Sequence, residues 1–232
     1  MTIEILFPEI CDLYGDRGNV LFLEKNFPHA HFVKTTILEE PYFVTHDVQF
    51  LYLGPMSEYN LEKVLKKLKI YQKRLNEMIQ NDTIFLATGN AMAIFGTTIV
   101  KENKEILSGL NLLQIHSEIH LSKRYHSLFL GKFSEENHLI VGYKSQNTFI
   151  ETKETPLFET IKEKSNTKVE GVRKRNFFGT TLLGPILISN PYFAKYLFSI
   201  MGYNQELIFE KQLVNAYNER VLEYQNQDTA YE

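Results

Sequence analysis

The chain has 232 residues, 44% of them hydrophobic, with 12 Gly and 7 Pro; this is enough for one large core, no Gly/Ser/Pro stretch marks a linker, and a single domain over 1–232 is expected. A net charge of -3 and a pI near 6.2 give no basic footprint for nucleic acid: Lys63, Lys66, Lys67 and Lys69 alternate with apolar residues as on a solvated helix face, and Arg173-Lys174-Arg175 reads as a solvated loop. No run approaches the ~20 apolar residues that span a bilayer, Met1–Phe7 lacks the parts of a signal peptide, and the one cysteine, Cys11, excludes an internal disulfide, so a cytoplasmic protein is expected.

Strand-length apolar runs alternate with helical periodicity, the pattern of an α/β fold with a mostly parallel central sheet and flanking helices. The predicted strands are Ile3–Phe7, His31–Thr35, Val48–Leu53, Thr83–Ala87 and Leu139–Gly142. An amphipathic helix opens at Val20, directly after Leu13-Tyr14-Gly15-Asp16-Arg17-Gly18-Asn19; Asp16 is placed to cap it and Arg17 to bridge to a carboxylate. Leu61, Val64, Leu65, Leu68, Tyr71, Leu75, Met78 and Ile79 recur at three- and four-residue spacing and predict one long helix. From Thr97 to Gly142 the chain reads as short strands, a helix starts at Tyr192, and Gln205–Gln225 is helical again. The tail 226–232 is polar and expected to fray.

The run that ends at Ala87 enters a turn of small residues and then a helical apolar pattern, Ala91-Met92-Ala93-Ile94. This is the strand-turn-helix arrangement on which hydrolytic α/β folds expose a nucleophile. Here its tip offers only Thr88, Gly89 and Asn90, and Thr88 reads more simply as a residue that caps the helix or fills the turn. Cys11 lies far from this elbow in sequence. His116-Ser117-Glu118-Ile119-His120 puts two imidazoles on one face, but it is not the His-Glu-x-x-His metal motif. His29, His31 and His46 fall in exposed contexts, and neither a metal nor a cofactor is expected.

Three motifs together carry a family resemblance: Tyr14-Gly15-Asp16-Arg17-Gly18-Asn19, Leu53-Gly54-Pro55-Met56-Ser57-Glu58, and Gly179-Thr180-Thr181-Leu182-Leu183-Gly184-Pro185 running on to Asn190-Pro191. In order and separation they resemble the class I glutamine amidotransferases of the cobyric-acid-synthase-like branch, and within it the glutaminase subunits of lipid II isoglutaminyl synthases. The resemblance implies a flavodoxin-like three-layer fold and a Mur-ligase-like synthase partner. It also implies a pocket for glutamine, whose side-chain amide a cysteine thiolate attacks with the help of a histidine.

Aligned on Gly96, the elbow puts Gly89 where that cysteine belongs; aligned on Gly179-Thr180 and Gly184-Pro185, the third motif puts Leu183 where the histidine belongs. The strand before Ser145-Gln146-Asn147-Thr148 does not lead into the family's glutamine-holding Arg, and Pro55 has no N–H to give an oxyanion. The reading is therefore of a catalytically degenerate amidotransferase-like protein, a non-catalytic or partner-dependent subunit. Thr88 is its one remaining hydroxyl at the elbow, and Gly54, Asn90, Asp16 and Arg17 are its candidate ligand contacts. By the resemblance its pathway is peptidoglycan precursor amidation or a cobyric-acid-like one; the alternatives are an active glutaminase subunit that supplies ammonia to a Mur-ligase-like synthase with non-standard residues, and a small-molecule sensor with a vestigial glutamine pocket.

Overall fold

The fold, a computed structural model that describes residues 1–165, 167–226 and 229, begins with strand β1 (Thr2–Leu6), helix α1 (Arg17–Asn26), β2 (His31–Thr35), β3 (Phe50–Leu53), α2 (Glu58–Lys69), α3 (Gln72–Gln80), β4 (Ile84–Thr88) and the short α4 (Ala91–Ile94). Strands of two smaller sheets follow, antiparallel except that β5 pairs parallel with β7: β5 (Thr98–Val100), β6 (Ile106–Ser108), β7 (Ile115–Ile119), β8 (Tyr125–Phe133), β9 (His138–Gln146), β10 (Thr148–Thr152), β11 (Phe158–Glu163) and β12 (Val169–Glu170). The chain then returns to the main sheet through β13 (Val172–Lys174) and β14 (Phe177–Thr180), and closes with α5 (Ile186–Ser189), α6 (Pro191–Ile200) and α7 (Glu210–Gln225).

Among the described residues the main sheet has the order β13-β14-β4-β3-β1-β2, parallel throughout except for the edge strand β13. Its central strands are apolar on both sides because helices cover both faces. Side chains alternate strictly: Leu51, Leu53, Phe85 and Ala87 join α2, α3 and α4 in one core, whereas Phe50, Tyr52, Ile84 and Leu86 join α1 and α6 in the other. Glu4 is a charged exception in this apolar layer. It is fully buried on β1, and it is tolerated because its carboxylate accepts from Thr35 Oγ1 (2.5 Å) and from the backbone N–H groups of Tyr42 (2.7 Å) and Phe43 (2.9 Å).

Several expectations are corrected. Leu139–Gly142 is not a strand of the parallel sheet: it lies within β9, which pairs antiparallel with β8 in a four-stranded sheet of order β12-β11-β8-β9. The fifth parallel strand is β14, which pairs with β4. The stripe from Leu61 to Ile79 is right, but the helix breaks at Ile70-Tyr71, where Tyr71 N–H bonds back to Leu68 in a tighter turn and Ile70 points to solvent. β-branched and aromatic residues lose side-chain freedom in a helix and favour a break there. Residues 205–209 precede the last helix, because Phe209 adopts a left-handed φ of 57°. Arg173 is not in a solvated loop; it lies on β13, its guanidinium 3.7 Å from the Phe178 ring centre. The tail 226–232, apart from Asn226 and Thr229, lies outside the described residues.

Candidate functional site

Strand β4 ends at Thr88 and the chain reverses at Gly89, whose φ of +60° is the left-handed conformation that glycine adopts without penalty. The helix α4 starts two residues later, so the elbow is present with glycine at its tip. The space above that glycine is filled. A β-carbon there would lie 2.6 Å from Pro55 Cβ and 2.9 Å from Leu183 Cδ2, well inside van der Waals contact. Pro55 follows β3, and Leu183 is held by its N–H bond to the Tyr143 carbonyl of β9 (2.8 Å). The structure thus brings together Gly89, Leu183 and Pro55, residues that the sequence motifs scatter along the chain.

Asn90 locks the elbow to the loop after β3. Its Nδ2 donates to the Met56 carbonyl (2.7 Å) and its Oδ1 accepts from the Met56 N–H (3.0 Å), so both ends of its amide are engaged. Gly54 lies behind Pro55, packed so closely on the Cys11 carbonyl that no side chain fits, and it does not line the cleft. Cys11 is buried, its Sγ 3.8 Å from Met56 Sδ; burial pushes its thiol up, the opposite of what a nucleophile needs.

Beneath the elbow lies a buried polar cluster. Asp16 accepts from the Tyr52 hydroxyl, from Thr88 Oγ1 (2.8 Å) and from Asn19 Nδ2 (3.1 Å), and Asn19 Oδ1 accepts from the Leu187 N–H (3.0 Å). These bonds tie α1, β3, β4 and α5 together. Burial raises the Asp16 carboxyl to about 7 although its three donors favour the charged form.

The expected roles of these residues change accordingly. The Asp16 side chain does not cap α1; Asp12 Oδ1 does, accepting from the Arg17 N–H (2.7 Å). Arg17 is exposed and forms no ion pair with a described residue. Thr88 neither caps α4 nor faces the cleft: its hydroxyl is fully buried and committed to Asp16.

What remains open at the elbow is a cleft of about 110 Å³ between Pro55, Gly89, Leu183 and the turn from β9 to β10. It is smaller than the ~300–1,000 Å³ of pockets that enclose a drug-sized ligand. No Cys and no His is among the described residues that line it. On its wall Gln146 Oε1, Asn147 Oδ1 and Thr148 Oγ1 are buried without hydrogen-bond partners, a costly arrangement unless something else supplies the bonds. Arg124 stands at the rim, donates to the Tyr14 hydroxyl (2.8 Å) and forms no ion pair with a described residue, although Glu58 lines the same cleft. Sequence reasoning missed Arg124, whose only local signal is a cation in a polar turn between two strands. His116 and His120 flank Glu118 on β7, with Nε2 atoms 3.7 and 3.1 Å from its oxygens. Among the described residues no group of three or more His, Cys, Asp or Glu is arranged to hold a metal.

No family model matches the chain. In sequence it is 24% identical over 208 residues to the lipid II isoglutaminyl synthase (glutamine-hydrolyzing) subunit GatD of Streptococcus pneumoniae strain R6, a match that covers 84% of this chain and 77% of that protein. In structure it is similar to a crystallised glutamine amidotransferase, with a TM-score of 0.58 at 12% identity over 86% of this chain and 99% of the other. It is likewise similar to a glutamine amidotransferase from Thermotoga maritima, with a TM-score of 0.54 at 14% identity over 96% and 98% of the two chains. The chain therefore has the glutamine amidotransferase fold, and its resemblance to the GatD subunit holds in sequence over most of its length.

Proposed function

We propose that this protein is a glutaminase-type subunit of an amidotransferase complex whose own glutaminase chemistry has been lost, and that it serves a Mur-ligase-like synthase as a structural or regulatory subunit in the cytoplasm, in peptidoglycan precursor amidation. One observation carries the reading: Pro55 and Leu183 fill the space into which a nucleophile on residue 89 would project. Amide hydrolysis by this fold needs a thiolate there, a base beside it and N–H donors for the tetrahedral oxyanion. Gly89, Leu183 and Pro55 supply none of the three from their side chains, and Pro55 has no N–H. The partner and pathway rest on the similarity to GatD. No described helix is long and apolar enough to cross a membrane.

The test is amidation by the reconstituted complex with glutamine or with free ammonia as nitrogen source. Turnover with ammonia alone is expected. Turnover with glutamine would overturn the reading, and its survival in Thr88→Ala and Asp16→Asn would show that neither of these residues carries the chemistry.

A second reading is favoured by the unpartnered Gln146, Asn147 and Thr148 atoms and by Arg124. Two carbonyl acceptors and a guanidinium that forms no ion pair with a described residue suit a small amino-acid-like zwitterion, so the cleft would act as a sensor. A ligand bound only by the folded state raises the unfolding midpoint. No shift with millimolar glutamine, glutamate or glycine would remove this reading.

A further inference from the structure

Strand β10 has one bare edge. His120 N–H bonds to the Asn147 carbonyl and Lys153 N–H to the Gln114 carbonyl, and with the register Thr148 to Ile119 this assigns the β7-facing bonds to odd-numbered residues. The N–H and C=O groups of Thr148, Ile150 and Thr152 point the other way, and no described strand pairs with them. Ile150 and Thr152 line a groove of about 500 Å³ that Val169, Glu170 and Gly171 also line, and Thr148, at the start of the same edge, lines the elbow cleft. Across the groove the Lys168 carbonyl accepts from Thr160 of β11 and the Glu170 carbonyl from Leu157 just before it, and Val169 lies between them, 46% exposed. Walled on both sides, the groove admits a single extended segment better than the edge of a second folded sheet. Glu151 lines it exposed, Glu170 lines it with a buried carboxylate that accepts from Thr180 Oγ1 and from the N–H and Oγ1 of Thr181 and has no described cation partner, and its one lysine, Lys144, is already paired with Glu163 at 2.7 Å.

We propose that this groove binds an extended, basic segment of a partner protein, which adds a strand to the β10 edge. Side chains alternate across a strand, so the segment carries Lys or Arg on the face of Glu151 and Glu118 and β-branched apolar residues on the face of Ile150. The groove shares Gln146 with the elbow cleft and the edge shares Thr148 with it, but the added strand uses backbone groups of β10 and stands whether or not that cleft is catalytically silent.

The probe is the peptide acetyl-Lys-Val-Lys-Val-Lys-Val-amide, titrated into the full chain while amide hydrogen exchange is followed residue by residue. Saturation is expected to slow exchange of the Thr148, Ile150 and Thr152 amides by about tenfold or more. Methylating alternate backbone nitrogens of the peptide is expected to abolish this. Glu151→Lys, a change at an exposed position, is expected to weaken binding about tenfold. Absence of protection at millimolar peptide, or binding indifferent to both changes, would overturn the proposal. So would a dimer of the free chain in which the same amides are already protected, since a second copy would then be the occupant.

Discussion

Adding one carbon at Gly89 tests the filled elbow directly. In Gly89→Ala the new β-carbon is forced into a left-handed backbone at φ +60°, which costs about 1–2 kcal/mol. It also meets Pro55 Cβ at 2.6 Å and Leu183 Cδ2 at 2.9 Å. The end of Leu183 can rotate away, but Pro55 Cβ belongs to a ring whose backbone follows β3 and whose carbonyl accepts from the Leu13 N–H at 3.2 Å. Overpacking of this kind adds about 1–3 kcal/mol. The total, roughly 2–5 kcal/mol, is a large part of the ~5–15 kcal/mol that holds a domain together, and at ~2–4 °C per kcal/mol it lowers Tm by roughly 4–20 °C.

Urea unfolding followed by circular dichroism and tyrosine fluorescence is the assay, since the chain has 13 Tyr and no Trp. The relief should be specific. Pro55→Gly removes the opposing carbon and should recover part of the loss in the double variant, whereas Pro55→Ala keeps that carbon and should recover little. A Gly89→Ala protein within about 0.5 kcal/mol of wild type, the spread of ordinary surface changes, would refute the claim that the space above Gly89 is occupied.

The Asp16 cluster predicts a pH dependence. The folded carboxyl titrates at about 7 against an ordinary 3.8, so the stability it contributes is complete below about pH 4 and is lost as pH rises through 7, by up to ~1.4 kcal/mol per pH unit. Asp16→Asn cannot ionise, and its stability relative to wild type should rise across that window by an amount on the order of 4 kcal/mol; urea midpoints of both proteins across the window check this, and a constant gap would contradict it. The buried pair Lys144–Glu163, with side chains 7% and 0% exposed, should lose about 3–5 kcal/mol when Lys144→Met strands the carboxylate, and much less when Glu163→Leu is added, because a stranded charge costs more than an apolar pair; thermal melts of the three proteins decide. Arg124→Ala, at an exposed rim position, should leave stability within about 0.5 kcal/mol while abolishing any midpoint shift that a carboxylate ligand produces.

Local pattern carried much of this protein. Apolar runs bounded by turn residues marked β1, β2, β3 and β4, and the three- and four-residue stripe marked the faces of α2 and α3, because periodicity reports which side of an element is buried. The small-residue turn at Thr88-Gly89-Asn90 was legible as an elbow without a nucleophile, since that depends only on the residues present. Strand partners were not legible: Leu139–Gly142 within β9 and the true fifth parallel strand, β14, both read as short apolar runs, and which sheet each joins is decided by contacts far away in sequence. The break at Ile70-Tyr71 escaped notice because it leaves the apolar phase intact. Above all, the sequence alone determined that residue 89 has no side chain, but only the tertiary structure decided what stands in its place. Pro55 and Leu183 reach it from separate loops, Thr88 and Asp16 are sealed below it, and Arg124 arrives from a third loop, because side chains meet through the packing of whole elements and not through their spacing along the chain.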